Sequence, residues 1–232
     1  MASDPPGASP EQPDELARLP RGRHGLPAEF VARNQRERLI VALAHVVAEH
    51  GYNDTTITRI VEGAGVTSRT FYKYFQTVEE CYLAALDSAI DRLTPLVVDA
   101  YESQEGWSLR VRAAIAAVLD FFATEPEVAR LCAVEPFVAG PGIARRYELA
   151  IDSLVPYLRL GRELRSGSEA FPETTERGLL GSMNSLVARR VSAGEAERLP
   201  ELLPDLVQFA LTPYLGAAEA RKVATELPRS SS

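Results

Sequence analysis

The chain has little of what marks a secreted, membrane-spanning or metal-dependent protein. Its 232 residues include 2 cysteines, 1 tryptophan, 2 methionines and 3 histidines. Cys81 and Cys132 stand far apart with no CxxC spacing, which argues against a disulfide framework and suits a reducing compartment. No stretch approaches the roughly 18 consecutive apolar residues of a membrane span. The first twenty residues lack the basic-then-apolar order of a signal peptide, so the expectation is a cytoplasmic chain with no membrane partner. His24, His45 and His50 all precede the larger part of the sequence, so no histidine–cysteine–carboxylate cluster suggests a metal there. GxSxG, Walker and dinucleotide fingerprints are missing too, so neither catalysis nor a cofactor is expected. Alternating β patterns of useful length and internal repeats are also lacking.

Positive charge is in short supply as well. The formal net charge is -7, from 25 Lys+Arg against 32 Asp+Glu, which excludes a protein that coats polyanions non-specifically. The balance is uneven along the chain. Residues 1–15 carry -4, residues 16–77 carry nine positives and five negatives, and residues 78–232 carry -7. A basic unit lies between an acidic tail and an acidic body.

What remains is helical periodicity, and the fold class expected is all-α. Residues 1–29 read as a disordered, Pro- and Ser-rich N-terminus ending in a basic arm around Arg18, Arg21, Arg23 and His24. Residues 30–77 read as three helices, residues 78–226 as a larger helical domain, and residues 227–232 as a disordered tail. Leu39, Ala42, Leu43, Val46 and Val47 recur at three- and four-residue steps before a stop at Gly51. Ile57, Ile60, Val61 and Ala64 share one face of a short second helix. Gly65 then supplies a turn and Thr67 a cap for a third helix over about Ser68–Phe75. Thr77 with Glu80 forms a capping box for a fourth. Further on, breaks are expected at Pro95, Ser103–Gly106, Glu125-Pro126, Glu135–Gly142, Ser166–Pro172 and Ser192–Gly194. Long amphipathic helices are expected over Leu109–Phe122 and Ile143–Leu164.

Two short helices joined by a tight Gly-containing turn are the sequence form of a helix-turn-helix. At about 100° per residue, a third helix that buries Phe71 and Phe75 turns Arg69, Tyr72 and Lys73 outward, with Ser68 and Thr70 flanking them and Tyr74 near the core's edge. A solvated helix surface is the plain alternative. DNA gives this combination a reason: Arg pairs with guanine edges, Ser and Thr meet bases, and Tyr and Lys hold phosphates.

The stretch Thr55–Phe75, T-T-I-T-R-I-V-E-G-A-G-V-T-S-R-T-F-Y-K-Y-F, closely resembles the DNA-binding signature of the TetR family of transcriptional regulators. The likeness runs from about Gln35 through Gly51-Tyr52 into Glu79-Glu80-Cys81-Tyr82. It implies an all-helical homodimer with three DNA-binding helices per subunit and a C-terminal domain holding an inducer pocket. By position, Thr67, Ser68, Arg69 and Thr70 would open the recognition helix, Tyr72 and Tyr74 would match phosphate-contacting positions, and Thr56 would begin the helix that crosses the backbone. Lys73 completes the polar row. Where the family usually has Lys at the start of the fourth helix, this chain has Val78. The arm's Arg21 and Arg23, flanking Gly22, fit either a minor-groove hook or a solvated basic tail.

In the larger domain, the resemblance places Trp107, Phe121, Phe122, Cys132, Phe137, Tyr147, Tyr157, Met183 and Asn184 around a ligand cavity, with plain core as the competing reading. Asn184 stands out because an amide inside an apolar stripe needs partners. Two C-terminal stripes, carrying Leu179, Leu180, Met183, Leu186 and Val187, then Leu202, Leu206 and Phe209, are assigned to a dimer interface, with closure of the monomer core as the alternative. The partners expected are a palindromic double-stranded DNA operator, an unknown small-molecule inducer and a second copy of the chain. The functional expectation is a repressor released from its operator by the inducer. An activator, a regulator controlled by a protein partner, and a helical enzyme or adaptor with a vestigial helix-turn-helix are the other readings.

Overall fold

The computed structural model describes residues 28–164 and 171–226, so the basic arm with Arg21 and Arg23 lies outside the described residues. Eleven α-helices follow in order among them: α1 Ala28–His50, α2 Ile57–Ala64, α3 Ser68–Tyr74, α4 Val78–Glu102, α5 Trp107–Thr124, α6 Pro126–Ala133, α7 Pro141–Asp152, α8 Val155–Arg159, α9 Thr175–Ser192, α10 Leu203–Leu215 and α11 Ala217–Thr225. Short 3₁₀ segments at Glu135–Phe137, Leu160–Leu164 and Ala196–Leu202 link some of them.

The local signals act as their chemistry dictates. The Thr56, Thr67 and Thr77 hydroxyls accept from the amides of Arg59, Thr70 and Glu80, capping α2, α3 and α4, and the Glu80 carboxylate accepts the Gln76 amide in return at 2.5 Å. Gly65 ends α2 at φ 60°, ψ 39°. The bonds Val66 N–H to Val61 C=O and Gly65 N–H to Glu62 C=O make a Schellman closure, which needs a left-handed residue that only glycine adopts without strain.

One expected interruption and one expected helix turn out differently. Pro95 does not break α4, which runs through it to Glu102. The proline is exposed, so the helix carbonyl it leaves without a donor can turn to water. The expected long helix over 143–164 is instead divided into α7, α8 and a 3₁₀ turn. Pro156 has no amide to bond the Asp152 carbonyl, and it sits in the first turn of α8, where none is needed.

The core is continuous from one end to the other. Leu39, Leu43, Ile60 and Phe71 of the N-terminal helices join Cys81, Tyr82 and Leu86 of α4, and through them Leu119, Leu131, Ile143, Leu199 and Val207. At the far side, Glu176 of α9 is fully buried, held on both oxygens by Arg162 at 2.7 and 2.8 Å and by the Tyr214 hydroxyl at 3.1 Å. No helix among the described residues is long and apolar enough to cross a membrane.

Candidate functional site

On α3, Phe71 is fully buried and Phe75 just beyond it is 4% exposed, which fixes the helix's rotation. Thr67, Ser68, Arg69, Tyr72 and Lys73 face solvent, and Tyr72, an aromatic side chain, is 51% exposed. Thr70 is half-buried, with its hydroxyl 3.1 Å from that of Thr67. Tyr74 is also half-buried and donates to Gln35 of α1 at 3.1 Å, so its hydroxyl is already engaged inside the protein. Thr56 is exposed at the start of α2. The structure thus gathers all the candidate positions it describes from Thr67 to Tyr74 on or beside one short helix, with Thr56 at the head of its neighbour.

Arg38 carries no signal in the pattern, yet its guanidinium reaches from α1 to the Ala64 carbonyl and to that of Gly65 at 3.3 Å. It ties down the turn between α2 and α3. Arg36 lies over the Phe75 ring, 5.4 Å from its centroid. These contacts join residues about 26 to 39 positions apart, which no local period reveals.

A second feature lies in the larger domain, where a groove of about 550 Å³ opens between α7 and α9 beneath the end of α6. Its walls are Ala133, Val134, Phe137, Tyr147, Ile151 and Ala188, with Glu148, Asp152, Arg177, Gly181, Asn184 and Ser185 as polar or small edges. Phe137 and Tyr147 meet edge to face at 5.3 Å. Arg177 is paired with Asp152 across the groove at 2.5 Å, and the Asn184 amide donates to the Ala133 carbonyl at 3.4 Å.

Of the residues expected around a cavity, Phe137, Tyr147 and Asn184 line this groove and six do not. Phe121, Phe122 and Cys132 fill the core, and burial pushes the Cys132 thiol up to about 12, which leaves it unreactive. Trp107 donates to the Tyr157 carbonyl at 2.7 Å and meets Tyr214 edge to face. Tyr157 is 45% exposed beside Tyr101, and Met183 packs on the core. Besides Val134 and Ile151, the rest of the groove's lining comes from small or charged residues on α6, α7 and α9, which pattern reading passes over.

The C-terminal stripes divide in the same way. Leu179, Leu180, Val187 and Leu206 are buried within the subunit, and Met183 and Leu202 pack against its core. These side chains are occupied inside one chain, as the monomer-core alternative holds. Leu186 of α9 and Phe209 of α10 remain 43% and 42% exposed.

Comparison with known proteins agrees with this architecture. The family profile described as "Bacterial regulatory proteins, tetR family" matches residues 39–85, which cover α2, α3 and the facing parts of α1 and α4. The HTH-type transcriptional activator FasR of Mycolicibacterium smegmatis is 29% identical over 119 residues, 51% of this chain and 54% of that protein. The HTH-type transcriptional regulator EthR of the same organism is 26% identical over 204 residues, 84% of this chain and 89% of that one. In fold, the chain is similar to the fatty acid degradation regulator FadR from Bacillus halodurans, with TM-score 0.66 and 17% identity over 78% of this chain and 98% of that one. FadR from Bacillus subtilis, solved in complex with stearoyl-CoA, gives TM-score 0.61 and 16% identity over 78% and 98%. Over residues 39–85, on the helix-turn-helix geometry of α2 and α3, the chain carries the DNA-binding signature of the bacterial tetR-family regulatory proteins.

Proposed function

We propose that the protein is a dimeric repressor that reads a palindromic operator through α3 and is released by an amphiphilic small molecule bound in the α7–α9 groove. The observation that carries the DNA half is the exposed row Ser68, Arg69, Tyr72 and Lys73 on a helix whose opposite side is locked by the buried Phe71. Arg69 reads a guanine edge, while Tyr72 and Lys73 hold phosphates. Thr67 and Thr70 set the helix's N-terminus at the groove floor, and Thr56 places α2 across the backbone. Tyr74 acts through Gln35 rather than on DNA.

The groove supports the ligand half: it is concave, mostly apolar, and edged by a few polar groups, as small-molecule sites are. A long acyl chain suits its walls, and the stearoyl-CoA bound to a protein of similar fold supports that class. The exposed Leu186 and Phe209, with the small exposed residues Gly178 and Ser182 of α9, support a two-fold interface. The protein then works in the cytoplasm, where operator and acyl ligand meet.

Selection of bound fragments from random duplex DNA, followed by salt-titrated mobility shifts, tests the reading. The expected result is a palindromic consensus bound with a steep salt slope and released by a long-chain acyl-CoA. A protein that enriches no sequence at any salt concentration overturns it.

A further inference from the structure

The 3₁₀ segment Glu135–Phe137 stands at the junction of the DNA-binding helices and the groove. On either side of Glu135, Val134 and Phe137 line the groove, as does Ala133. Glu135 itself turns the other way and is 4% exposed. One carboxylate oxygen accepts the backbone N–H of Tyr52 at 3.1 Å, and the other accepts Arg130 Nε at 3.0 Å. Tyr52 belongs to the turn between α1 and α2. It follows Gly51, whose φ of +77° shapes the turn and whose Cβ position faces both Glu135 oxygens at 3.9 Å. The same turn is steadied by Tyr52 packing edge to face on Tyr82 at 5.4 Å, and Tyr82 donates to the Leu131 carbonyl at 2.5 Å.

We infer that Glu135 is a latch: its carboxylate holds the Gly51-Tyr52 turn of the DNA-binding unit to the wall of the groove, so that filling the groove and positioning α2 and α3 become one equilibrium. The inference rests on the regulator reading and names the residue through which the two sites communicate. The physics is that of a short lever. Residues 133–137 cannot move at Val134 and Phe137 and stay fixed at Glu135, because three residues of 3₁₀ helix are a rigid unit. A buried carboxylate withdrawn from its amide leaves that N–H without a partner, a cost that two discrete arrangements of the turn can avoid. Glu135 touches neither DNA nor ligand; it is a positioning residue.

The test uses the full-length protein and needs no ligand. Gly181→Leu fills the groove from α9, where an added Cβ meets nothing within 4 Å. Ile151→Trp fills it from α7 and replaces the first variant should that one alter the oligomeric state by sedimentation. Hydrogen exchange at the Tyr52 amide reports the latch, and affinity for the selected operator reports its consequence. The expected result is faster Tyr52 exchange and about tenfold weaker DNA binding in the filled protein, within the usual range for coupled sites. Glu135→Ala should give both effects with the groove empty, and filling the groove in that background should add nothing. Glu135→Gln, which keeps an acceptor oxygen for Tyr52, should retain most of the protection, a rescue that mere loss of packing would not show. Unchanged Tyr52 exchange in the filled protein, or additive effects of filling and Glu135→Ala, overturns the latch. If neither wild type nor variants select any DNA, the regulator reading fails, while the exchange data still judge the latch.

Discussion

A single guanidinium nitrogen of Arg38 serves the Ala64 and Gly65 carbonyls, the two that end α2 and begin the turn to α3. The relative angle of the two helices therefore depends on a side chain from α1. Arg38→Ala should lower stability by about 1.5–3 kcal/mol in urea denaturation, the range for a hydrogen bond to a charged group. It should also weaken operator binding without altering the salt slope, since Arg38 acts on protein carbonyls and not on phosphate. A reduced slope would instead make Arg38 a DNA contact.

Glu176 and Arg162 form the most buried ion pair among the described residues, with no exposure at the Glu176 side chain and 19% at Arg162. Burial alone would raise the Glu176 carboxyl, but hydrogen bonds from Arg162, its own backbone amide and Tyr214 outweigh this and hold it below its ordinary 4.5. A carboxyl lowered by folding contributes stability that is fully present above the unfolded value and is lost as pH falls through the folded one. Urea midpoints measured from pH 6 down to pH 3 should therefore fall steeply below about 4.5 in the wild type and less so in Glu176→Gln. Arg162→Ala leaves the buried carboxylate only the more distant Arg159, 3.9 Å away, and should cost roughly 3 kcal/mol at pH 7.

The N-terminal helices are legible in sequence because every signal that makes them is local: Gly65, Thr67 and the Phe71–Phe75 pair lie within eleven residues. The groove is not, because Ala133, Tyr147 and Asn184 come from three helices that converge only in the folded chain. Glu135 carries no sign at all; an acid before a proline in an expected break reads as solvated loop, and only the fold brings Tyr52 to it. The buried half of the C-terminal stripes misleads in another way. A leucine stripe on a helix looks the same whether it meets its own subunit or a partner, and Leu206 meets its own.

His45 of α1 bonds Glu127 of α6 at 2.8 Å, and Glu49 lies 3.9 Å away on the other ring nitrogen. The hydrogen bond that the His45 ring donates to the Glu127 carboxylate chiefly raises the imidazole above its ordinary 6.5. A raised histidine contributes stability that is complete below the unfolded value and is lost as pH rises through the folded one. Both partners are well exposed, so the tie should stay under about 1 kcal/mol. NMR titration should place His45 above 6.5 in the wild type and lower it in Glu127→Gln.

Gly161 is buried against Trp107, and an added Cβ would collide with the indole. The indole cannot yield freely, because its N–H is bonded to the Tyr157 carbonyl and its ring meets Tyr214 edge to face. Gly161→Ala should destabilise by about 1–3 kcal/mol through overpacking. Trp107 is the chain's one tryptophan, so a shift of intrinsic fluorescence emission reports the displacement directly. An unshifted spectrum with wild-type stability would show that α8 and its 3₁₀ extension give way instead.

Arg69 and Lys73 lie four residues apart on α3, both exposed, yet the proposed roles differ in kind. A guanidinium that forks onto a guanine edge discriminates among base pairs, whereas an ammonium on a phosphate does not. Arg69→Ala should cost about 1–3 kcal/mol against the selected operator and flatten the preference at one position in each half-site. Lys73→Ala should weaken all sequences alike and reduce the salt slope by roughly 0.9 for each phosphate no longer neutralised, two in a dimer bound at both half-sites. Repeating the selection with each variant separates the outcomes. A consensus unchanged by Arg69→Ala, with affinity reduced evenly across sequences, would move base reading from Arg69 to Ser68 and Thr70 at the head of the helix.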